Sequence, residues 1–293
     1  MALKYKLPLF CLTAKAESHK RQFGYGVEYQ NVAEPPETGR HLITAIDRTG
    51  YKHLDAFPDG TMIVIHDPTE VIGTRAAELV EHLPRFKIIT IRKSVQRLLK
   101  ERFGLASKFL IHPFYAYPFK RAAAPSRAVS VSRLDYDKHI DIILRANKML
   151  PAAKQVDIYG AVNRLYVYKE LGGLGLKKHY KGQMERSFEA LAEALTDAKY
   201  VVDMSYYKHD GGGSQYTFLE AIYAGAALVL HSKWVEDYET EFVDGKNCFV
   251  VDGPEDLAEL LGAAPATRGV ATAARRLLEP HLRVDWPRSL AKY

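Results

Sequence analysis

The chain has 293 residues, enough for one large or two moderate domains. Its 47% hydrophobic content suffices for packed cores and argues against a disordered or low-complexity chain. The net charge of +6 conceals an asymmetry: residues 1–123 hold 19 Lys and Arg against 12 Asp and Glu, and the remainder 22 against 23. No run approaches the ~20 apolar residues of a membrane span. The opening MALKYKLPLFCLTAKAE has too short an apolar core and too many charges for a secretory signal. Cys11 and Cys248 lie in strand-like sequence without metal-site spacing, so both are expected to be buried thiols of a cytoplasmic protein.

Taken in order, residues 7–13 (LPLFCLT) read as a first buried strand. Residues 14–40 are polar, rich in Gly and Pro, and carry Lys15, Lys20 and Arg21; they read as one long functional connection. Short strands are expected at 41–46 and 60–65, the second ending in His66-Asp67-Pro68. Polar groups at the carboxyl end of a buried parallel strand face the ligand crevice. A helix is expected at 74–82, a strand at 87–91, a basic amphipathic helix at 94–103 stopped by Gly104, and a strand at 108–112. Within 85–121 ten basic residues meet one acid, Glu101, which suits a polyanionic partner or, more plainly, a solvated helix face.

Residues 120–127 (KRAAAPSR) read as a linker, after which a second alternation starts. Strands are expected at 128–131, 155–159, 178–180, 199–204, 226–230 and 247–251; helices at 140–150, 163–171, 187–196, 215–224, 254–261 and 269–278. Two α/β domains with parallel sheets follow from this pattern. The densest signal is DGGGSQYTFLEAIYAG, residues 210–225: Gly211, Gly212 and Gly213 run into Ser214 as N-cap of a helix from Gln215 to Ala224. A glycine loop opening a helix lets backbone amides approach an anion, and the helix dipole adds positive charge there. Gln215, Tyr216 and Thr217 stand at that helix start, and Glu220 follows within two turns.

Four stretches, VSVSRLDYDKHIDIILRA, QVDIYG with HYKGQM, GGGSQYTFLEAIYAGAALVL and EFVDGKNCFVVDGPEDLAELL, together resemble the donor domain of two-Rossmann-domain (GT-B) retaining glycosyltransferases of the large family 4 type. The resemblance covers most of residues 128–262. It implies two Rossmann-like domains: 1–122 for the acceptor, 123–280 for the donor, with 281–293 as a tail packing back on the first. The crevice between them would take the ligands. It also implies that Arg133 and Lys138 hold a nucleotide diphosphate, that Gly182 helps bracket the base, and that Glu220 binds the ribose. Many members carry a second Glu eight residues earlier; here that position is Gly212. Asp210 two residues before it, or the amides of 211–214, are the candidates to replace it.

The first half is similar, in VIHDPTEV, to the His-Asp of bacteriophage DNA α-glucosyltransferases. That resemblance implies His66 and Asp67 at the catalytic centre, although a structural turn explains the pair equally simply. The expectation is therefore an enzyme moving a sugar from a nucleotide-sugar, a UDP-sugar first, onto an acceptor hydroxyl with retention and without an obligatory metal. A hydroxymethyl pyrimidine of virus DNA is the expected acceptor, held by Lys15, Lys20, Arg21, Arg92, Lys93 and Arg97 in a host cytoplasm. A lipid, glycan or small metabolite is the alternative acceptor. A non-catalytic nucleotide or nucleic-acid binding module is the alternative of another class.

Overall fold

A computed structural model describes residues 1–37, 39–44, 50–72, 76–236 and 238–293, with no side-chain description for 50–52. The chain divides into two compact units: residues 1–115, 208–213 and 283–293 form the first, and 116–207 with 214–282 the second.

The first unit opens with a one-turn helix, α1 (Ala2–Tyr5), and three strands, β1 (Leu9–Leu12), β2 (Lys20–Gly24) and β3 (Val27–Val32). They form a small sheet in the order β1-β3-β2, with β1 parallel and β2 antiparallel to β3. The long connection expected over 14–40 thus contains a hairpin over 20–32. Tyr25 and Gly26 turn it with φ of 54° and 72°, the left-handed pair that a two-residue hairpin requires. The expected burial of the first strand also fails. β1 lies at a sheet edge, Phe10 and Cys11 are exposed, and only Leu12 reaches a core cluster.

A second sheet of this unit is wholly parallel, in the order β4 (Leu42–Ile43), β5 (Met62–Ile65), β6 (Lys87–Thr90) and β7 (Lys108–Phe109). Residues 45 and 46 of the strand expected at 41–46, and Thr74 and Arg75 of the helix expected at 74–82, lie outside the described residues. Side chains alternate across a strand, so β5 feeds two cores. Ile63 and Ile65 pack with Leu79 of α2 (Ala76–His82) and with Val95 and Leu99 of α3 (Lys93–Phe103). Met62 and Val64 face the other way and pack with Trp286 and Leu290 of the C-terminal helix Trp286–Ala291. Trp286 Nε1 donates to the Ile111 carbonyl at 2.9 Å, and the Tyr5 hydroxyl donates to the Val284 carbonyl at 2.7 Å.

The second unit is a six-stranded parallel sheet: β8 (Arg127–Val131), β9 (Val156–Tyr159), β10 (Tyr180–Gly182), β11 (Ala198–Asp203), β12 (Ala227–His231) and β13 (Phe249–Val251). Its spatial order is β10-β9-β8-β11-β12-β13, the 3-2-1-4-5-6 order of dinucleotide-binding folds. Among the described residues, eight helices connect or follow these strands: α4 (Ile140–Met149), α5 (Arg164–Glu170), α6 (Leu176–His179), α7 (Phe188–Leu195), α8 (Tyr216–Tyr223), α9 (Ser232–Val235), α10 (Pro254–Ala263) and α11 (Arg268–Arg283). Residues 178–179, expected in a strand, end α6 instead, and β10 starts at Tyr180. Ala128, Ile158, Val202 and Val229 on one sheet face pack with Ile143 and Leu144 of α4 and Leu257 of α10. Cys248 is fully buried, and burial pushes its thiol up to about 12, so it stays protonated.

Candidate functional site

The order of the second unit's sheet dictates where a ligand can enter. Connections leave β8 toward one edge and β11 toward the other, so the loops after these two strands part and open a crevice at their carboxyl ends. The loop after β8 carries Arg133 and Lys138, and the loop after β11 carries Ser205 and Tyr206. Asp135 caps the one-turn 3-10 helix Tyr136–Lys138 by accepting from the Tyr136 amide at 2.9 Å. The Tyr206 amide donates to the Asp137 carbonyl at 3.1 Å and ties the two loops together.

Lys138 is the cation that this arrangement aims. Its Nζ donates to Ser205 Oγ at 3.0 Å and Gln215 Oε1 at 3.1 Å, with Asp137 at 3.2 Å. An ammonium with three donors here bridges β8, β11 and the start of α8. Arg133 differs: it is 66% exposed and reaches only Asp135 and Asp137, at 3.5 and 4.0 Å. Exposed pairs of this kind add little stability, so its guanidinium is free to turn toward an incoming anion. Gly160, at the end of β9, has φ +148°, and a Cβ there would stand 1.7 Å from the Ser132 carbonyl oxygen. Only glycine lets β9 pass so close to the β8 loop. The Gly160 amide donates to the Gly182 carbonyl at 3.1 Å, which places Gly182 next along the same edge.

α8 begins one residue later than its sequence suggests. Gln215 holds the extended N-cap conformation, without a side-chain cap bond, and the expected cap Ser214 instead meets His281 Nε2 at 3.5 Å. Thr217 Oγ1 lies 3.5 Å from the Val131 carbonyl at the end of β8, and Tyr216 is 48% exposed. On the inner side of α8 the Glu220 carboxylate accepts from the Tyr117 hydroxyl at 2.6 Å. Burial pushes Glu220 up to about 7, against a smaller lowering by that hydrogen bond. Its other oxygen takes no protein donor among the described residues.

A feature absent from the sequence reading lies beside these loops. His139 stacks on Tyr206 with ring centres 3.7 Å apart and planes within 6°, and Tyr206 meets His231 at 4.5 Å. Lys233 Nζ sits 4.8 Å over the Tyr206 ring. Burial, then the neighbouring His139 and Lys233, lower His231 to about 4, so it is neutral at physiological pH. Spacing could not have revealed this group, because its members lie at or after the ends of three different strands, β8, β11 and β12.

The first unit holds the remaining predicted residues. Asp210 is buried and accepts from Ser94 Oγ and the Gly211 amide, each at 3.0 Å, while the Arg92 guanidinium pairs with its other oxygen. Arg92 is only 11% exposed, so it departs from the expected basic surface: its charge answers a buried carboxylate. Lys93 and Arg97 on α3 are exposed, as are Lys15, Lys20 and Arg21, although Arg21 pairs with Glu17 at 2.5 Å. Gly212 has φ +71°. A Glu there would adopt a left-handed backbone at ~1–2 kcal/mol, a physical reason for glycine at that position. A Cβ on Gly213 would approach Arg92 Cγ to 3.0 Å. Asp67 accepts from the Thr69 amide at 2.9 Å and from its hydroxyl, capping a 3-10 turn at Pro68–Glu70. His66 is held by Glu70: Nδ1 lies 3.2 Å from Oε1, its amide donates to Oε2 at 2.7 Å, and Nε2 meets Thr44 at 3.0 Å. Glu70 escaped the sequence reading, though its spacing of four from His66 was visible. Among the described residues, no group of three His, Cys, Asp or Glu side chains is arranged to hold a metal ion.

Comparison with solved structures gives the fold. Anabaena Alr3699/HepE in complex with UDP-glucose is 17% identical with a TM-score of 0.67, over 86% of this chain and 79% of that one. The sucrose-phosphate synthase of Thermosynechococcus elongatus is 14% identical with a TM-score of 0.63, over 96% and 85%. The pneumococcal O-GlcNAc transferase GtfA, in complex with UDP and GlcNAc, is 14% identical with a TM-score of 0.61, over 86% of this chain. This chain spans only about half, 56%, of GtfA's length. These likenesses identify the GT-B glycosyltransferase fold. No curated protein sequence matches the chain. The family described as glycosyl transferase-like matches residues 138–286, just over half of the 293 residues, from Lys138 through α8 to the C-terminal helix. With Lys138 and five of the six strands of that sheet, β9 to β13, inside that match, the chain belongs to the glycosyl transferase-like family.

Proposed function

We propose that the chain transfers a sugar from a nucleotide diphosphate donor, a UDP-sugar first, to an acceptor hydroxyl. The observation that carries this reading is Lys138, fixed by Ser205 and Gln215 at the sheet's topological switch point. Lys138 neutralises the diphosphate as charge builds on the leaving group, and Arg133 swings in beside it. Glu220 offers its unoccupied oxygen to the ribose hydroxyls while Tyr117 holds the other. Solved structures of the same fold contain UDP or UDP-glucose, which supports a uridine donor. Retention of configuration is the outcome that the family resemblance implies.

The acceptor we propose is a hydroxymethyl pyrimidine in duplex DNA, as in bacteriophage DNA modification. Exposed Lys93 and Arg97, with Lys15 and Lys20, supply phosphate contacts. His66, oriented by Glu70, is the group that orients or deprotonates the acceptor hydroxyl; Asp67 serves the turn beneath it. A stacked base cannot present its hydroxyl to a crevice, so the base must flip out. The test is a panel of nucleotide-sugars offered with duplex DNA containing hydroxymethyl pyrimidines. Transfer that falls with salt and with Lys93→Glu/Arg97→Glu, at unchanged donor affinity, is the expected result. Transfer to a lipid or free glycan with none to DNA removes the DNA acceptor. Donor binding with neither transfer nor slow donor hydrolysis makes the chain a binding module and overturns the enzyme reading.

A further inference from the structure

All six strands of the second unit's sheet are parallel, so their amino ends gather at the edge opposite the Lys138 loops. A cleft of about 720 Å³ opens there. It is bounded by Pro125 before β8, Lys199 at the start of β11, Gly225 before β12, and the first two turns of α11. Pockets of this size hold small organic ligands.

Four cations line it, Arg121, Lys199, Arg268 and Arg275, and no lining residue is acidic. None of the four has a carboxylate partner among the described residues. Arg121 and Lys199 are anchored by neutral groups: Arg121 Nη1 donates to the Ala224 carbonyl at 2.7 Å, and Lys199 Nζ donates to the Ala264 carbonyl at 3.2 Å and lies 5.0 Å from the centre of the Tyr200 ring. Gly225 leaves room for that guanidinium, since a Cβ there would stand 2.4 Å from Arg121 Nη1. Burial and the like charge of Arg275 both lower Arg121, which marks a site short of negative charge. The amino end of the 16-residue α11 adds its dipole to the same space. Four unpaired cations around one concavity repel one another and are relieved by a bound polyanion. Phe119 and Tyr223 form an apolar wall beside them.

We propose that this cleft binds a compact ligand bearing two or more phosphate groups, at a site separate from the donor crevice. The ligand is either a free polyphosphorylated molecule or a phospholipid headgroup. Inorganic tripolyphosphate titrated into the full chain by calorimetry is the first arm. Phosphatidylcholine vesicles with and without phosphatidylinositol bisphosphate, whose headgroup carries three phosphates, are the second. Arg268→Ala/Arg275→Ala removes two exposed cations while keeping a good helix former at both positions, and the melting curve verifies folding. Arg133→Ala/Lys138→Ala disables the proposed donor crevice. We expect tripolyphosphate affinity to drop at least tenfold in the first variant and to persist in the second. Vesicle binding lost in the first variant assigns the headgroup; tripolyphosphate binding without vesicle binding assigns a free ligand. Equal affinity in wild type and the Arg268/Arg275 variant overturns the proposal. So does loss of all binding in the Arg133/Lys138 variant, or binding of duplex DNA with none of tripolyphosphate or vesicles. None of these outcomes depends on glycosyl transfer, so the two readings fail separately.

Discussion

Glu220→Gln separates the burial of this carboxyl from the role we propose for it toward a nucleotide. In the folded chain Glu220 keeps its proton to about pH 7, against an ordinary value of 4.5. Between those values the folded state binds more protons than the unfolded one, so stability falls as pH rises. The loss is absent below pH 4.5 and complete above pH 7. At 1.36 kcal/mol per pH unit it amounts to on the order of 3 kcal/mol. Gln keeps an oxygen for the Tyr117 hydroxyl and has no proton to lose. Urea denaturation of both proteins at pH 5 and pH 8 should therefore show the variant gaining about 3 kcal/mol on wild type across that range. Tyr117→Phe removes the bond that holds the Glu220 value down, so its inflection should move to higher pH. UDP binding supplies a second readout: ribose hydroxyls donating to the charged carboxylate should tighten wild-type binding as pH rises through 7, and the Gln variant should lose that slope. Parallel stability curves for wild type and Glu220→Gln would refute the buried, proton-holding carboxyl.

Lys138→Met should weaken UDP binding about 10- to 100-fold by calorimetry, the worth of a charge-assisted contact to a phosphate. Gly160→Ala should lower stability by about 3 kcal/mol or more, because its Cβ meets the Ser132 carbonyl at 1.7 Å. Gly173→Ala, with φ +73° and open space around it, should cost only ~1–2 kcal/mol in the same thermal melt. Arg92→Met should destabilise the chain by about 3–5 kcal/mol, since it strands the buried Asp210 charge, and adding Asp210→Asn should recover part of that loss. A double variant no more stable than Arg92→Met alone would deny the pair its role.

Local pattern disclosed much of this protein. The apolar runs ending at Ile65, Thr90, Val131 and Asp203 became parallel strands because each was flanked by helical periodicity. Lys138 was singled out through the resemblance of VSVSRLDYDKHIDIILRA to a donor-domain pattern, and only the fold shows that its ammonium meets Ser205 and Gln215. The hairpin at 20–32 was missed because its strands are polar and half-exposed, so the apolar signal was absent; the Tyr25-Gly26 turn was the available cue. Arg92 was read as surface because charge composition carries no information about a carboxylate 118 residues away. Tyr117 and Glu220 are likewise joined only by the fold. The pattern could state that Asp67 begins a turn, but the pairing of His66 with Glu70 needed coordinates.

The face of β5 and β6 that receives Trp286 has a consequence for synthesis. A ribosome completes Tyr115 about 170 residues before Trp286, which at 5–20 residues per second is a delay of roughly 10–35 s. Throughout that interval Met62, Val64, Ile89 and Ile91 lack Trp286 and Leu290, the two buried side chains that complete their cluster in the finished fold. The unit begun first is thus finished last, after the whole of the second unit has emerged. Nascent chains stalled before residue 284 should present this apolar strip to chaperones, and replacing residues 284–293 with a polar sequence should reduce the yield of folded protein although it alters none of the residues we propose for the donor site.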